Sequence, residues 1–491
     1  MELQASIPRV MLVAPGSGSG KTTFTCALLR ALQQAGHNPA AFKCGPDYID
    51  PMFHSRVLGV DSCNLDIFLC GEAAVPLLLA QNGQGHGLAV IEGVMGLYDG
   101  QGASECGSSN HVAILTKTPA LLVLSPQGQS LSLAAQVSGF LHFAPNTIKG
   151  VLLNRCSEKI YSFYSEMLED RLGLKVYGHL PPLPEAAFAS RHLGLVTPAE
   201  IQDMQEKVDC LARACLAGVD LEGVVALARS APLLEFAPQE EFCRRGSSGE
   251  NIPLKSIHAE GKEPPTRTTK GQGVRIAVAQ DRAFCFYYKD NFKVLQSLGA
   301  NLVFFSPLED KGLPEGVSGL ILGGGYPEEY AAVLESNTPM RQHIRQKAAE
   351  GMPVFAECGG FLYLCNSLAG TDGTAHAMTG FFAADARMTS QLGPFGYVTL
   401  TAEKDTFIGP KGMQLLAHEF HYSTTGDNGN AFTARKAGGK SWACVHASGP
   451  EERLRIFAGF PHFHFRGNRE LAVAFIRACR QFREKEQWLR R

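Results

Sequence analysis

Gly16-Ser17-Gly18-Ser19-Gly20-Lys21-Thr22-Thr23 is the stretch that decides the fold. It follows Arg9-Val10-Met11-Leu12-Val13-Ala14, a short apolar run that reads as a buried strand, and it opens a helical stretch from Thr22 to Gln34. A glycine-rich turn between strand and helix aims free backbone N–H groups and the positive end of the helix dipole at one point, where phosphate binds. Lys21 adds a point charge for the terminal phosphates, and the Thr22 hydroxyl offers a ligand to magnesium. The expected ATP-binding residues are therefore Gly16, Gly18, Ser19, Gly20, Lys21, Thr22 and Thr23.

Outward from this loop the pattern repeats. Pro39 to Phe42, Leu88 to Glu92, Ala120 to Ser125 and Ile148 to Asn154 are further strand-like runs separated by helical stretches. Such alternation predicts an α/β fold, a doubly wound parallel sheet covered on both faces. Composition turns polar between about Pro238 and Gly273, where too little apolar surface exists to fold alone. A second α/β pattern begins at Val274 to Ala279 and continues through Asn301 to Ser306, Gly319 to Leu322 and Pro353 to Glu357. Two domains are expected, 1–238 and 273–491, joined by an exposed linker at 239–272; 491 residues are too many for one ordinary core.

Composition narrows the function classes. A formal net charge of −2 argues against a bulk nucleic-acid binder. The start, Met1-Glu2-Leu3-Gln4, lacks a basic stretch before an apolar run, and runs such as Leu121 to Leu124 are too short to span a bilayer. Fourteen cysteines contain no C-x-x-C pair, which favours reduced thiols over a disulfide frame. A cytoplasmic enzyme with no membrane or nucleic-acid partner is expected.

Acidic residues gather at the ends of the strand-like runs. Gly45-Pro46-Asp47-Tyr48-Ile49-Asp50-Pro51 is poor material for a helix interior and reads as a rigid loop. In Ile91-Glu92-Gly93-Val94-Met95-Gly96-Leu97-Tyr98-Asp99-Gly100, Glu92 ends an apolar strand, where a carboxylate without compensation is costly and a metal ion would relieve the cost. These segments, with Asn64-Leu65-Asp66 and Arg191-His192-Leu193-Gly194-Leu195, resemble the synthetase half of the cobyrinic acid a,c-diamide synthase family. Gly323-Gly324-Gly325-Tyr326-Pro327-Glu328 and His418-Glu419-Phe420-His421-Tyr422-Ser423 resemble its other half, so the likeness runs from about Val10 to Arg477. It implies Thr22, Asp47 and Glu92 as magnesium ligands, and Asp47, Asp50, Glu92 and Asp99 around acyl-phosphate chemistry. Two departures stand out. Pro15 replaces the first glycine of the common phosphate loop, which resembles the variant of dethiobiotin-synthetase-like ATPases, and Ser125-Pro126 stands where many relatives carry Asp.

Cys358 lies in Ala356-Glu357-Cys358-Gly359-Gly360, after a buried strand and before a helix expected from Phe361 to Asn366. That is the setting of a nucleophile elbow. Backbone N–H groups at the helix start can stabilise an oxyanion, and Gly323, Gly324 and Gly359 are the expected oxyanion and glutamine contacts. The base should be a histidine. Gly459-Phe460-Pro461-His462-Phe463-His464 resembles the terminal histidine segment of class I glutamine amidotransferases, which favours His462 with His464 as second choice. Those relatives follow the histidine with Pro-Glu; here Phe463-His464 follows, so a Cys358–His462 dyad is expected. A metal centre built from His418, His421, His462 and His464 is the rival account of the histidines.

The resemblance implies ATP-dependent amidation of the a- and c-carboxylates of cobyrinic acid, with L-glutamine as ammonia source and Mg2+ as cofactor; the need to keep ammonia from water predicts a closed passage from Cys358 to the phosphate site. A homo-oligomer is compatible with it. The alternatives are the same reaction on sirohaem, nickel-sirohydrochlorin or hydrogenobyrinic acid, and a P-loop switch ATPase with a ligand-sensing domain.

Overall fold

The computed structural model describes residues 3–186, 198–237, 244–245, 251–252 and 273–489. The Arg191–Leu195 motif and most of the expected linker lie outside them. The chain divides into two compact units, Met1–Leu254 and Lys255–Arg491. No helix among the described residues is long and apolar enough to cross a membrane.

In the first unit, β1 (Arg9–Val13) leads through the glycine loop into α1 (Lys21–Gln34). Then follow β2 (Pro39–Cys44), α2 (Ile49–Arg56), β3 (Ser62–Leu65), β4 (Leu88–Glu92), β5 (Ala120–Leu124), β6 (Ile148–Asn154) and β7 (Val176–Leu180). The seven strands form one sheet in the order β3-β2-β4-β1-β5-β6-β7, and every pairing is parallel. Every residue of β1, β2, β4 and β5 is buried, as a sheet covered on both faces requires. Val10, Leu12, Val90, Leu121 and Val123 pack against Phe24, Leu28 and Leu32 of α1, which anchors the glycine loop between two rigid elements. The loop, Lys43 and Glu92 thus meet at the carboxyl ends of β1, β2 and β4, where open α/β sheets bind ligands.

Two of the second unit's sheets position its site. β8 (Val274–Ala279), β9 (Ala300–Phe305), β10 (Leu320–Leu322) and β11 (Val354–Glu357) precede α3, which runs Gly359–Leu364 and so starts and ends two residues before the expected helix. β12 (Gly396–Ala402), β13 (Gln414–Glu419), β14 (Phe432–Arg435), β15 (Ser441–Cys444), β16 (His446–Ala447), β17 (Ile456–Gly459) and β18 (His462–Phe463) supply the rest of these two sheets. One sheet runs β9-β8-β10-β11-β17-β16, parallel except for β16; the other, β15-β14-β12-β13-β18, is antiparallel. The chain leaves the first sheet at Gly459 and enters the second at His462. Phe355 of β11 touches the rings of Phe457, Phe463 and Phe465, so one aromatic cluster clamps β18 beside β11. That clamp, with the pairing of Glu357 to Gly459 and of His462 to His418, sets where His462 stands.

Candidate functional site

The phosphate loop is shaped by backbone that only glycine adopts cheaply. Gly20 has φ +93°, and a Cβ there would lie 1.9 Å from Asn154 Nδ2, which donates to the Ser19 carbonyl at 3.1 Å. Ser19 Oγ donates to the Gly16 carbonyl at 2.9 Å. Lys21 Nζ donates to the Gly16 carbonyl at 3.2 Å and the Met95 carbonyl at 2.5 Å, tying the loop to the segment after Glu92. Asp99 accepts the Gly96 N–H at 2.8 Å, so in this structure its carboxylate braces the turn that carries Met95.

Lys43, to which the sequence reading gave no role, is the centre of the acidic cluster. It is the register partner of Glu92 on the neighbouring strand, and its Nζ lies 2.6 Å from Asp50 Oδ2 and 2.8 Å from Glu92 Oε1. The charge of Glu92 is thus met by Lys43 and not left for a metal alone. Thr22 Oγ1 donates to the same Glu92 oxygen at 2.6 Å. Asp50 corrects an expectation: it sits in the first turn of α2, not in a loop, because an acid is favourable at a helix N-terminus and Pro51 costs no hydrogen bond there. Asp47 stays in the loop and accepts the Ile49 N–H at 2.8 Å. Asn64 holds that loop by donating to the Gly45 and Asp47 carbonyls at 3.0 and 2.7 Å, while Asp66 caps the next helix through the Leu69 N–H.

Burial, then Asp50, pushes the Asp47 carboxyl up to about 7. Burial pushes Asp50 up as well, but the Lys43 charge outweighs it and brings Asp50 down to about 2. Glu92, wholly buried and facing Asp50, stays above the usual range despite its own bond to Lys43. The donor set fits magnesium in part: Thr22 and Glu92 bring hard oxygens together, and Glu92 Oε2 makes no hydrogen bond, with His54 Nε2 3.8 Å away. Asp47, the third expected ligand, is turned to Ile49.

In the second unit Cys358 has φ +44°, a strained backbone for a non-glycine residue that costs about 1–3 kcal/mol and marks a nucleophile elbow. His462 hydrogen-bonds with Cys358, and its Nδ1 donates to Glu357 Oε2 at 3.2 Å. This corrects the expected dyad. The orienting carboxylate comes from the residue before the cysteine, and its other oxygen accepts the Phe463 N–H at 3.0 Å. Burial pulls the His462 imidazole down, yet its hydrogen bonds to Cys358 and Glu357 outweigh burial and raise it to about 10.

His464 is not brought to the cysteine: it packs on Tyr288, accepts the Arg466 N–H at 3.3 Å, and burial lowers it to about 4. His418 lies across from His462 on β13 and is lowered to about 3 by burial and by the His462 charge. His421 stacks on Phe460 and donates to the Ser423 carbonyl at 2.8 Å. Among the described residues no group of three or more His, Cys, Asp or Glu side chains could hold a metal, so the four-histidine centre does not form. Gly323 departs from expectation too, since its N–H already donates to Tyr287 Oη at 2.9 Å. Gly324 and Gly359 remain close-approach positions: a Cβ on Gly324 would lie 2.6 Å from His462 Cε1, and one on Gly359 would lie 2.9 Å from Pro327.

Two expected outcomes arise here. Glu357→Gln should lower glutamine hydrolysis by about 10²–10⁴-fold, read as glutamate release, by analogy with removing the orienting acid of a nucleophile–histidine–acid set. It should also cost about 1–3 kcal/mol of stability at pH 7. The stabilisation carried by the His462 proton is full below the ordinary histidine value of about 6.5 and is lost as pH rises through about 10. The difference in denaturant midpoint between wild type and variant should therefore narrow from pH 7 to pH 10. Gly324→Ala should push the imidazole off line and lower glutamine hydrolysis about 10–100-fold, with synthesis from added ammonium unchanged in a steady-state assay.

Residues 10–195 match the family model described as CobQ/CobB/MinD/ParA nucleotide binding domain, and residues 275–470 that of the CobB/CobQ-like glutamine amidotransferase domain. With the fold, these define a glutamine-dependent ligase that uses ATP. The curated relatives agree along almost the whole chain. The cobyrinate a,c-diamide synthase of Clostridium tetani is 36% identical over 472 residues, covering 95% of this chain and 99% of the relative. That of Listeria monocytogenes serotype 4b is 36% identical over 469 residues, covering 94% and 97%. The Thermoplasma volcanium enzyme is 34% identical over 486 residues, covering 98% and 99%. This chain belongs to the cobyrinate a,c-diamide synthase family.

Proposed function

We propose that this chain converts the a- and c-carboxylates of cobyrinic acid to amides in the cytoplasm, with ATP and glutamine as co-substrates. The observation that carries the reading is the pairing, in one chain, of a phosphate loop facing Glu92 and Lys43 with Cys358 on a strained elbow against His462. At the second site the Cys358 thiolate attacks the side-chain amide carbon of glutamine. The C–N bond breaks, His462 gives the departing nitrogen its proton, and ammonia leaves a glutamyl thioester that water hydrolyses. Glu357 keeps the imidazole aligned through both steps.

At the first site a substrate carboxylate oxygen attacks the terminal phosphorus of ATP, ADP departs, and ammonia displaces phosphate from the acyl phosphate. Hydroxide is a poor leaving group and phosphate an adequate one, which is why ATP is needed. Lys21 and the loop amides hold the phosphates, and Asp47, its carboxyl pushed up to about 7, takes a proton from the attacking ammonia. Thr22 and Glu92 would hold Mg2+, which when bound offsets phosphate charge.

Mass spectrometry of products from cobyrinic acid, hydrogenobyrinic acid, sirohaem and nickel-sirohydrochlorin tests the substrate. Two amides added to cobyrinic acid in preference to the others is the expected result. Amidation of another ring in its place would move the substrate, and glutamate release without amide would defeat the reading.

A further inference from the structure

A side chain interrupts the ladder between β8 and β10. Val278 pairs with Ile321, and one step further the parallel pattern would take the Gly323 N–H to the Ala279 carbonyl. The Tyr287 hydroxyl stands between those two groups: it accepts the Gly323 N–H at 2.9 Å and donates to the Ala279 carbonyl. Desolvation pushes the phenol well above its ordinary value, so the proton given to Ala279 stays in place. The ring is wedged as well as tied. It packs on Phe292 with centroids 5.2 Å apart, and a Cβ on Gly323 would collide with it. A hydroxyl inserted into a ladder holds the two backbones apart, and here the end held off is the start of the glycine loop.

That loop leads straight to the glutaminase site. Gly324 and Gly325 pair with Phe286 and Phe284 on one side, where the Tyr326 N–H donates to the Ala283 carbonyl at 2.9 Å. Alternation along an extended chain turns the preceding Gly325 N–H to the other side. There its nitrogen lies 3.1 Å from the place a Cβ on Gly359 would take, while a Cβ on Gly324 would crowd the His462 ring. The loop therefore passes between the imidazole and the Cys358 elbow, and Tyr287 fixes where it begins.

We propose that Tyr287 is a positioning residue for glutamine hydrolysis, whose hydroxyl spaces the glycine loop from β8 so that the Gly325 amide faces the oxyanion formed at Cys358. The inference rests on the reading of Cys358 as the glutamine nucleophile. As the bond from sulfur to the amide carbon forms, one electron pair of the C=O bond moves onto oxygen, and the N–H groups of Gly325 and Gly359 meet that charge. Tyr287 touches no substrate and moves no proton; it acts through the loop.

Tyr287→Phe in the full chain keeps the ring and removes the spacer. It should lower kcat for glutamine hydrolysis at least tenfold and leave ammonium-driven synthesis within twofold of wild type. On a Cys358→Ser background, glutamine affinity by titration calorimetry should also stay within twofold, because the loop amide acts on charge that the bound substrate does not yet carry. Equal losses of kcat, affinity and ammonium-driven synthesis would mark a merely structural tyrosine and overturn the proposal, and so would an unchanged kcat. Faster hydrolysis would overturn it too, since the hydroxyl would then be a cap on the Gly323 amide and not a spacer. Should Tyr287→Phe fail to fold, Gly323→Ala sets a methyl against the same ring: the same split between kcat and affinity is expected, and wild-type hydrolysis would overturn the proposal. A wild-type chain that releases no glutamate would remove the reading of Cys358 itself, and the proposal with it.

Discussion

Cys358→Ser should lose amide synthesis from glutamine by at least about 10³-fold and keep synthesis from added ammonium at the wild-type rate. Cys358 occupies its strained backbone because the Gly359-Gly360 turn lets α3 start beside Leu322 and Pro327, where a Cβ on either glycine would collide. A serine fits the same space, so the fold is kept. What disappears is the sulfur nucleophile on which His462 acts, and the hydroxyl is a far weaker nucleophile in the same position. Because ammonia enters after that step, supplying it as a salt bypasses the lesion. Steady-state rates with each nitrogen source, measured on one preparation, give both numbers. Loss of the ammonium-driven rate as well would mean that Cys358 supports the fold or the phosphate site and not glutamine hydrolysis alone.

The complementary variant, Lys21→Met, should lower synthesis from either nitrogen source by about 10²–10³-fold, or roughly 3–4 kcal/mol of transition-state stabilisation. Lys21 Nζ, now turned onto the Gly16 and Met95 carbonyls, is the loop cation closest to where phosphates bind. Its removal leaves the loop amides in place but takes away a charge buried with Glu92 and Asp50 around it. Glutamate release should persist, since no part of the Cys358 arrangement uses Lys21. Synthesis from ammonium at more than a tenth of the wild-type rate would contradict the assignment.

Much of this was legible in the sequence, and what was not has a common cause. The phosphate loop and the Cys358 elbow are local: strand, glycine turn and helix are adjacent in the chain, so their chemistry is written in a dozen letters. Glu357 was hidden because its partner lies 105 residues away and the expected acid follows the histidine. The parallel pairing that sets Glu357 beside Gly459, with Phe355 packed on Phe457 and Phe463, turns that separation into a contact. Lys43 was visible as a letter, but its role depends on β2 pairing with β4 in the one register that sets it beside Glu92. The antiparallel sheet that carries His462 also escaped the α/β pattern, because its strands are half-exposed and alternate where those of the parallel sheets are continuously apolar. Gly323 and Asp50 were misplaced for smaller reasons: a distant tyrosine hydroxyl takes the first, and a helix starts one residue before the second.

The central claim is that both sites serve one transfer of nitrogen. Glutamine labelled with nitrogen-15 in its side-chain amide, supplied with cobyrinic acid, Mg-ATP and an excess of unlabelled ammonium at subsaturating concentration, tests it most directly. Mass spectrometry of the diamide should find both new amides carrying the heavy isotope well above its share of the total nitrogen pool, with Cys358→Ser product wholly unlabelled. Wild-type product with no more label than the mixed pool would contradict the account.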